Sequence, residues 1–266
     1  MTDAPRLKKR HGQHHLRHSA LCRPLLEFLR PQGRRVVEIG PGGGVLTGEL
    51  LRAGASVWAW EIDPEWALRL RRQLPGGVLS TVVGDALEIE WARLPAGALV
   101  TGNLPYGIAT RLVQDLLAAP GVRRGGFLVQ AEVGRRLAAG PGDSEYGALS
   151  VLVQARAEVR LLGRVKRASF QPPPRVDGAF VGLLRREPAV PAGRWDGFEA
   201  LVRLAFGRRR KTLRNALAAR WPRPEVDELL ETVGLPPAAR AVELGVEQLV
   251  TVYRESRRRG INDDGC

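Results

Sequence analysis

Cysteine is almost missing from the chain: Cys22 and Cys266 are the only two in 266 residues, and they stand far apart. They form no disulfide framework, so the protein reads as the product of a reducing compartment. No apolar run approaches the roughly 18 residues that a membrane span needs. The N-terminus is basic without an apolar h-region, so it does not read as a signal peptide, and a cytoplasmic protein is the expectation. No internal repeat or low-complexity tract is found. Acid is in deficit, with 28 Asp and Glu against 41 Lys and Arg, a formal net charge of +13 and a pI near 11.0. That balance points to a polyanionic partner, because neutralising phosphates with Lys and Arg dominates affinity for nucleic acid. Arginine-rich usage without such a partner would give the same balance.

The length suffices for one α/β domain with a smaller appendage, and 44% hydrophobic content is enough to build a core. Short β-branched runs at 36–39, 56–62, 81–83, 98–101 and 126–130 alternate with helix-like stretches at 45–53, 64–74 and 109–118. Strands so separated imply right-handed crossovers and a Rossmann-like, doubly wound, mostly parallel sheet. Two further strands, 159–165 and 179–184, have no long helix between them and suggest an antiparallel hairpin at one sheet edge. The segment Glu187-Pro188-Ala189-Val190-Pro191-Ala192-Gly193 has linker composition. Beyond it only helices are expected, at 195–206, 209–220, 224–233 and 246–257, with a frayed polar tail from Arg258. The division is therefore an α/β domain over 1–186 and a small all-helical domain over 187–266.

Gly40-Pro41-Gly42-Gly43-Gly44 follows a strand and precedes a helix, where glycines let backbone approach a ligand that any Cβ would push away. A dinucleotide site needs a glycine three positions after Gly42. Val45 stands there, so that fingerprint fails. An acid, Glu38, followed by alternate glycines instead resembles the S-adenosylmethionine loop of Rossmann-like methyltransferases; a tight turn with no ligand is the plain alternative. Glu61 ends the second strand, where a carboxylate accepts hydrogen bonds from both hydroxyls of a ribose. Asp85 ends the third, placed to accept from an adenine amine. Either acid alone reads more readily as a helix cap or a solvated turn residue than as a ligand group. Their positions at consecutive strand ends, on the edge where open α/β sheets bind ligands, favour a site.

Asn103-Leu104-Pro105-Tyr106 follows the fourth strand on the same edge. An exocyclic amine on an aromatic base is a poor nucleophile, because its lone pair is delocalised into the ring. Two acceptors, the Asn103 side-chain oxygen and the Leu104 carbonyl, would bind both N–H bonds, favour a pyramidal nitrogen and stabilise the positive charge that develops on attack. Pro105 fixes the backbone and keeps the carbonyl aimed, and Tyr106 offers a face for a flipped base. The amine loses its proton after methyl transfer, so no general base is required. An ordinary turn is the alternative.

These motifs resemble the ribosomal RNA adenine N6-dimethyltransferase family, of KsgA type, with the Erm resistance methylases as more distant relatives. The resemblance runs from about Lys8 to Val252. Gly12-Gln13-His14-His15-Leu16 matches the family's Gly-Gln-Asn-Phe-Leu segment except at its two histidines. The resemblance implies S-adenosylmethionine contacts at His14, Leu16, Gly40, Glu61, Asp85 and Asn103, with Gly42 and Ala86 nearby. It also implies that Phe170 packs on the target base opposite Tyr106. Gln130-Ala131-Glu132-Val133, the segment from Tyr146 to Val151 and the segment from Phe170 to Asp177 are similar to the same family, whereas Gly107 and Ala109 depart from it. The implied reaction is dimethylation of two adjacent adenines near the 3′ end of small-subunit (16S) ribosomal RNA, tied to subunit biogenesis. An Erm-type enzyme acting on large-subunit (23S) RNA and a non-catalytic, RNA-binding assembly factor are the rivals. The expected protein is a monomer acting on RNA within an immature small subunit.

Arg6-Leu7-Lys8-Lys9-Arg10 and the run Arg208, Arg209, Arg210 and Lys211 with Arg214 are candidates for phosphate contact, the second resembling the family's basic helix. Charge runs otherwise read as solvated faces. His11, His14, His15 and His18 lie within eight residues. They align with a cofactor lid, no Cys or paired carboxylates complete a ligand set, and no metal is expected.

Overall fold

The structure is a computed structural model and describes residues 14–76, 78–105, 107–208 and 211–261. His11, Arg6 to Arg10, Tyr106, Arg209, Arg210 and Cys266 lie outside the described residues. The described residues up to Arg135 form one compact unit with Glu158–Arg185, and Arg136–Ala157 form the other with the described residues from Arg186 on.

In the first unit a short strand β1 (His15–Leu16) and helix α1 (Arg23–Leu29) precede the repeating part of the fold. That part runs β2 (Arg35–Ile39), α2 (Val45–Arg52), β3 (Ser56–Glu61), α3 (Pro64–Gln73), β4 (Leu79–Val83), β5 (Ala98–Asn103), α4 (Ala109–Ala118) and β6 (Val122–Gln130). Strands β2 to β6 pair in parallel. After α5 (Ala131–Ala138) and α6 (Ala148–Gln154), β7 (Ala157–Val165), a two-residue β8 (Phe170–Gln171) and β9 (Gly178–Arg185) follow. The seven-stranded sheet has the order β4-β3-β2-β5-β6-β9-β7, with β9 antiparallel to β6 and β7 beside β9 at the edge, the two strands expected to form a hairpin there. Strand order reverses between β2 and β5. A crevice opens at such a point outside the strand carboxyl ends, and both the glycine loop after β2 and Asn103 at the end of β5 border it.

Local sequence explains these elements. Val36, Val37 and Ile39 are buried in β2, as β-branched residues are in a strand covered on both faces. Asp63 caps α3 by accepting the Glu65 N–H at 3.1 Å, with Pro64 pre-set for the first turn. Trp66, Ala67 and Leu70 then face the core. Strand β6 is four residues longer than the stretch 126–130 suggests, because its opening residues include Arg123, Arg124, Gly125 and Gly126, a poor strand pattern. Gly126 is there for space: a Cβ would lie 2.6 Å from Leu25 Cδ1 of α1.

The second unit contains α6 together with α7 (Trp195–Phe206), α8 (Leu213–Leu217), α9 (Arg223–Thr232) and α10 (Val246–Arg258). Its core gathers Tyr146, Phe198, Leu213 and Tyr253. Tyr146 donates its hydroxyl to the Leu244 carbonyl at 2.8 Å, and its ring meets Phe206 edge-on. The chain thus leaves the first unit at residue 136, before the linker at 187, because Tyr146, Val151 and Leu152 share their apolar surface with the C-terminal helices. Of the helix expected over 209–220, the described residues form Leu213–Leu217; Thr212 caps it, accepting the Asn215 N–H at 3.3 Å.

Candidate active site

Gly40, Gly42 and Gly44 have φ of +62°, +48° and +78°, left-handed backbone that favours glycine at each alternate position. Glu61, 3% exposed, braces this loop: one carboxylate oxygen accepts the Gly42 N–H and the other the Asp63 N–H, both at 3.0 Å. Burial pushes the Glu61 carboxyl above its ordinary range, against the pull of these N–H donors. The Ile62 N–H is a third backbone donor to this carboxylate, whose two oxygens together offer about four acceptor sites. Asp85 accepts the Leu87 N–H at 2.9 Å, capping a short turn that begins at the buried Ala86. Both acids therefore hold backbone on the carboxyl edge and still present acceptor capacity there.

Three separate motifs converge on β1. It pairs antiparallel with β8, Leu16 opposite Phe170 and His15 opposite Gln171. Asn103 Nδ2 donates to the His14 carbonyl at 2.6 Å, and His14 Nδ1 lies 2.9 Å from the Pro172 carbonyl. The bond from Asn103 fixes its amide orientation, and among the described residues nothing donates to Oδ1, the acceptor that the amine chemistry uses. Leu104 is 1% exposed and donates its N–H to the Leu128 carbonyl at 2.9 Å, while the Pro105 carbonyl accepts from Ile108 and Ala109 to start α4. Asn103, Leu104 and Pro105 are thus each held by a hydrogen bond.

The structure corrects the expectation for Phe170. Its ring is 1% exposed and packs in the core with Leu16, Leu128 and Phe180, so it does not face a base. The physical reason is the β1–β8 pairing, which buries Phe170 and Leu16 together beneath the segment they form.

His15, read from the sequence only as a departure, lies on the glycine loop. A Cβ at Gly42 would fall 2.6 Å from its Nε2, and its ring meets Trp66 edge-on at 4.4 Å. Burial, then the charges of His14 and Arg69, push its pKa down to about 4, so it is neutral at physiological pH. No sequence signal assigns it this place; only the lid alignment hinted at it. A pocket beside this ring is lined by Leu16, Glu38, Gly40, Pro41, Val45 and Asn103 among others. Glu38 Oε2 is buried there with no hydrogen-bond partner among the described residues. An orphaned buried acceptor beside a cradle of glycines fits a ligand that brings its own donors, as the amino-acid end of S-adenosylmethionine does.

A family model, ribosomal RNA adenine dimethylase, matches residues 4–257. The chain belongs to that family. The dimethylase is 41% identical over 254 residues to a ribosomal RNA small subunit methyltransferase A of Bordetella bronchiseptica, covering 93% of each chain. It resembles the crystal structure of a dimethyladenosine transferase from Plasmodium falciparum, with a TM-score of 0.83 and 25% identity, covering 93% of this chain and 99% of that one. It also resembles the 23S rRNA methyltransferase ErmE, with a TM-score of 0.71 and 30% identity over 91% and 98% of the two chains. The dimethylase is accordingly an S-adenosylmethionine-dependent rRNA adenine dimethyltransferase.

In its helical unit, Arg208 and Lys211 are exposed in the turn ahead of α8, the Lys211 N–H donating to the Arg208 carbonyl at 2.9 Å. Arg214 differs from the expectation. It makes a bidentate ion pair with Asp227, whose carboxyl this bond holds below its ordinary range. Its charge is already answered within the unit. Replacing Arg208 and Lys211 by Gln is expected to flatten the salt dependence of RNA binding by about 0.7–0.9 for each phosphate no longer neutralised. Arg214→Gln should leave that slope unchanged and lower stability only slightly, because solvent screens an exposed pair. Filter binding across a salt series with thermal melts checks both.

Proposed function

We propose that this dimethylase transfers two methyl groups to the N6 amine of each of two adjacent adenines near the 3′ end of small-subunit ribosomal RNA. Its substrate in this reading is an immature small subunit, and it acts as a cytoplasmic monomer whose modification step is linked to subunit biogenesis. The observation that carries the reading is the Asn103 amide, held by the His14 carbonyl so that Oδ1 stands as an acceptor at the strand-order reversal.

His14, Leu16, Gly40, Gly42, Glu61, Asp85 and Ala86 are the residues proposed to hold S-adenosylmethionine, with Glu61 taking the ribose hydroxyls and Asp85 the adenine amine through their remaining acceptor sites. When bound, that group supplies a methyl on a sulfonium, electrophilic without further activation. The chain's contribution is then to the nucleophile. Asn103 Oδ1 and the Leu104 carbonyl accept the two N–H bonds of the target amine, draw its lone pair out of conjugation and stabilise the charge that builds on nitrogen. Pro105 keeps the carbonyl in place, and Tyr106 is proposed to stack on the unstacked base. The proton leaves the nitrogen after methyl transfer; the monomethyl amine keeps one N–H, so in the second methylation one of the two acceptors holds that N–H and the other faces the first methyl group. Arg208, Arg209, Arg210 and Lys211 are proposed as phosphate contacts.

The test is methyl transfer from labelled S-adenosylmethionine to purified immature small and large subunits, with primer-extension mapping of the product. Label confined to adjacent adenines of small-subunit RNA is the expected result. Label in large-subunit RNA would assign an Erm-type activity instead, and tight RNA binding without label would leave an assembly factor.

A further inference from the structure

The amino edge of the same sheet carries a second concentration of positive charge. Arg30 and Arg34 lie in the connection from α1 to β2, Arg123 and Arg124 open β6, and Arg160 stands in the first half of β7. Arg30, Arg34, Arg123 and Arg160 are exposed and Arg124 is half-buried. Register draws them together. The Arg34 carbonyl accepts the N–H of Ser56 at the start of β3, and Arg124 sits opposite Leu99 near the start of β5 and Leu184 near the end of β9. Arg124 ties α1 to this edge, donating to the Phe28 carbonyl at 2.9 Å with its guanidinium 5.9 Å from the Phe28 ring. Its Nε is buried with no partner among the described residues. Burial, followed by the charges of Arg30, Arg123, Arg34 and Arg160, presses its pKa downward.

Among the described residues few carboxylates answer this charge. Arg160 pairs with Glu158 at 2.6 Å, but among the described residues no ion pair involves Arg30, Arg34 or Arg123. The contrast with other exposed arginines is informative. On α7 and α10, Arg203 pairs with Glu199 and Arg258 with Glu255, one helical turn apart, as a solvated charged face does. Like charges gathered without counter-charges cost stability. Arg175, Arg194 and Arg240 are likewise exposed without an ion pair among the described residues, so the mark of this edge is that five arginines lie close enough to act on one another.

We propose that this arginine cluster binds the phosphate backbone of ribosomal RNA, forming a second contact on the sheet edge opposite the glycine loop and Asn103. The inference rests on ribosomal RNA being the substrate. Planar guanidinium groups suit phosphate, which they grip bidentately, and a large folded RNA reaches surfaces remote from the base being modified. A contact of this kind positions the RNA without reading its sequence.

The experiment uses the full-length protein with Arg34→Gln and Arg123→Gln combined. Arg124 is kept because it holds Phe28, and Arg30 because its φ is +53°. Binding to transcribed small-subunit RNA is measured across a potassium chloride series. The slope of log affinity against log salt should flatten by roughly 1.4–1.8, two phosphate contacts at about 0.7–0.9 each. Affinity for S-adenosylhomocysteine should stay unchanged and the melting temperature should hold or rise as repulsion is relieved. If the double variant melts early, Arg123→Gln alone should show half the slope change. The Arg34→Lys, Arg123→Lys variant should keep the wild-type slope. An unchanged slope in the glutamine variants, with wild-type protein still methylating RNA, overturns the second contact and leaves the dimethylase reading intact. Failure of wild-type protein to methylate any ribosomal RNA would instead sink that reading. Loss of binding to phosphatidylglycerol vesicles with an unchanged RNA slope would assign the edge to a membrane surface and overturn the proposal as well.

Discussion

Asn103→Ala is expected to lower the rate of methyl transfer by about 10²–10³-fold, the usual effect of removing one group that stabilises charge only in the transition state. The loss should fall on kcat rather than on KM for RNA, because Oδ1 meets the amine most strongly when the nitrogen is pyramidal and positive. A second effect is separable. The variant leaves the His14 carbonyl without its donor, so β1 should loosen by about 1 kcal/mol, the net worth of one hydrogen bond. Asn103→Asp distinguishes the two roles: it keeps an acceptor for the amine but sets a carboxylate against the His14 carbonyl, so it should restore part of the chemistry while loosening β1 further. Single-turnover kinetics with calorimetry of cofactor binding makes the measurement. If Asn103→Ala turned over at the wild-type rate, the amide would have no part in activating the amine.

How much of this was legible in advance depended on whether a residue's role is local. The strands β2, β3 and β5, the helices α2, α3 and α4 and the loop between Ile39 and Val45 follow from periodicity, caps and glycines, all short-range properties. The place of Asn103 at the end of β5 was legible because the apolar run before it and Pro105 after it are local signals. Phe170 was misread because its environment is set by a strand pairing to Leu16, some 150 residues away, which no spacing rule records. Arg214 was read as part of a charge run, yet Asp227 on another helix answers it. The unit made by residues 136–157 with the C-terminal helices was hidden for the same reason: the linker composition at 187 marks one crossing of the chain, and apolar contacts made by Tyr146 and Leu152 decide the other. His15 belongs to this class too, since nothing in its own neighbourhood announces that Gly42 and Trp66 will enclose it.

Glu38 carries the second large effect, on stability rather than rate. Burial pushes its carboxyl up to about 8, and the nearby Glu61 adds to the push; the Thr47 hydroxyl offsets part of it, although neither Oε2 of Glu38 nor Oγ1 of Thr47 has a partner in hydrogen-bonding geometry among the described residues. The folded protein therefore keeps a proton that the unfolded chain gives up near pH 4.3. With the folded pKa above the unfolded one, the native state binds more protons across that window, and unfolding free energy falls as pH rises. The slope is about 1.4 kcal/mol per pH unit between roughly pH 4.5 and 8, so several kcal/mol are at stake. Glu38→Gln should abolish that slope, making the variant more stable than wild type at pH 8 and little different at pH 5. Denaturant melts at a series of pH values would detect this, and parallel curves for the two proteins would exclude a protonated Glu38. A cationic ligand in the adjacent pocket favours the carboxylate, so binding of S-adenosylmethionine near pH 7 should expel a proton from wild type and none from Glu38→Gln, measurable as a dependence of binding heat on the buffer's ionisation enthalpy. The acid that weakens the empty fold at neutral pH is thus the one that a positively charged cofactor would relieve, which is a physical reason for burying it beside the glycine loop.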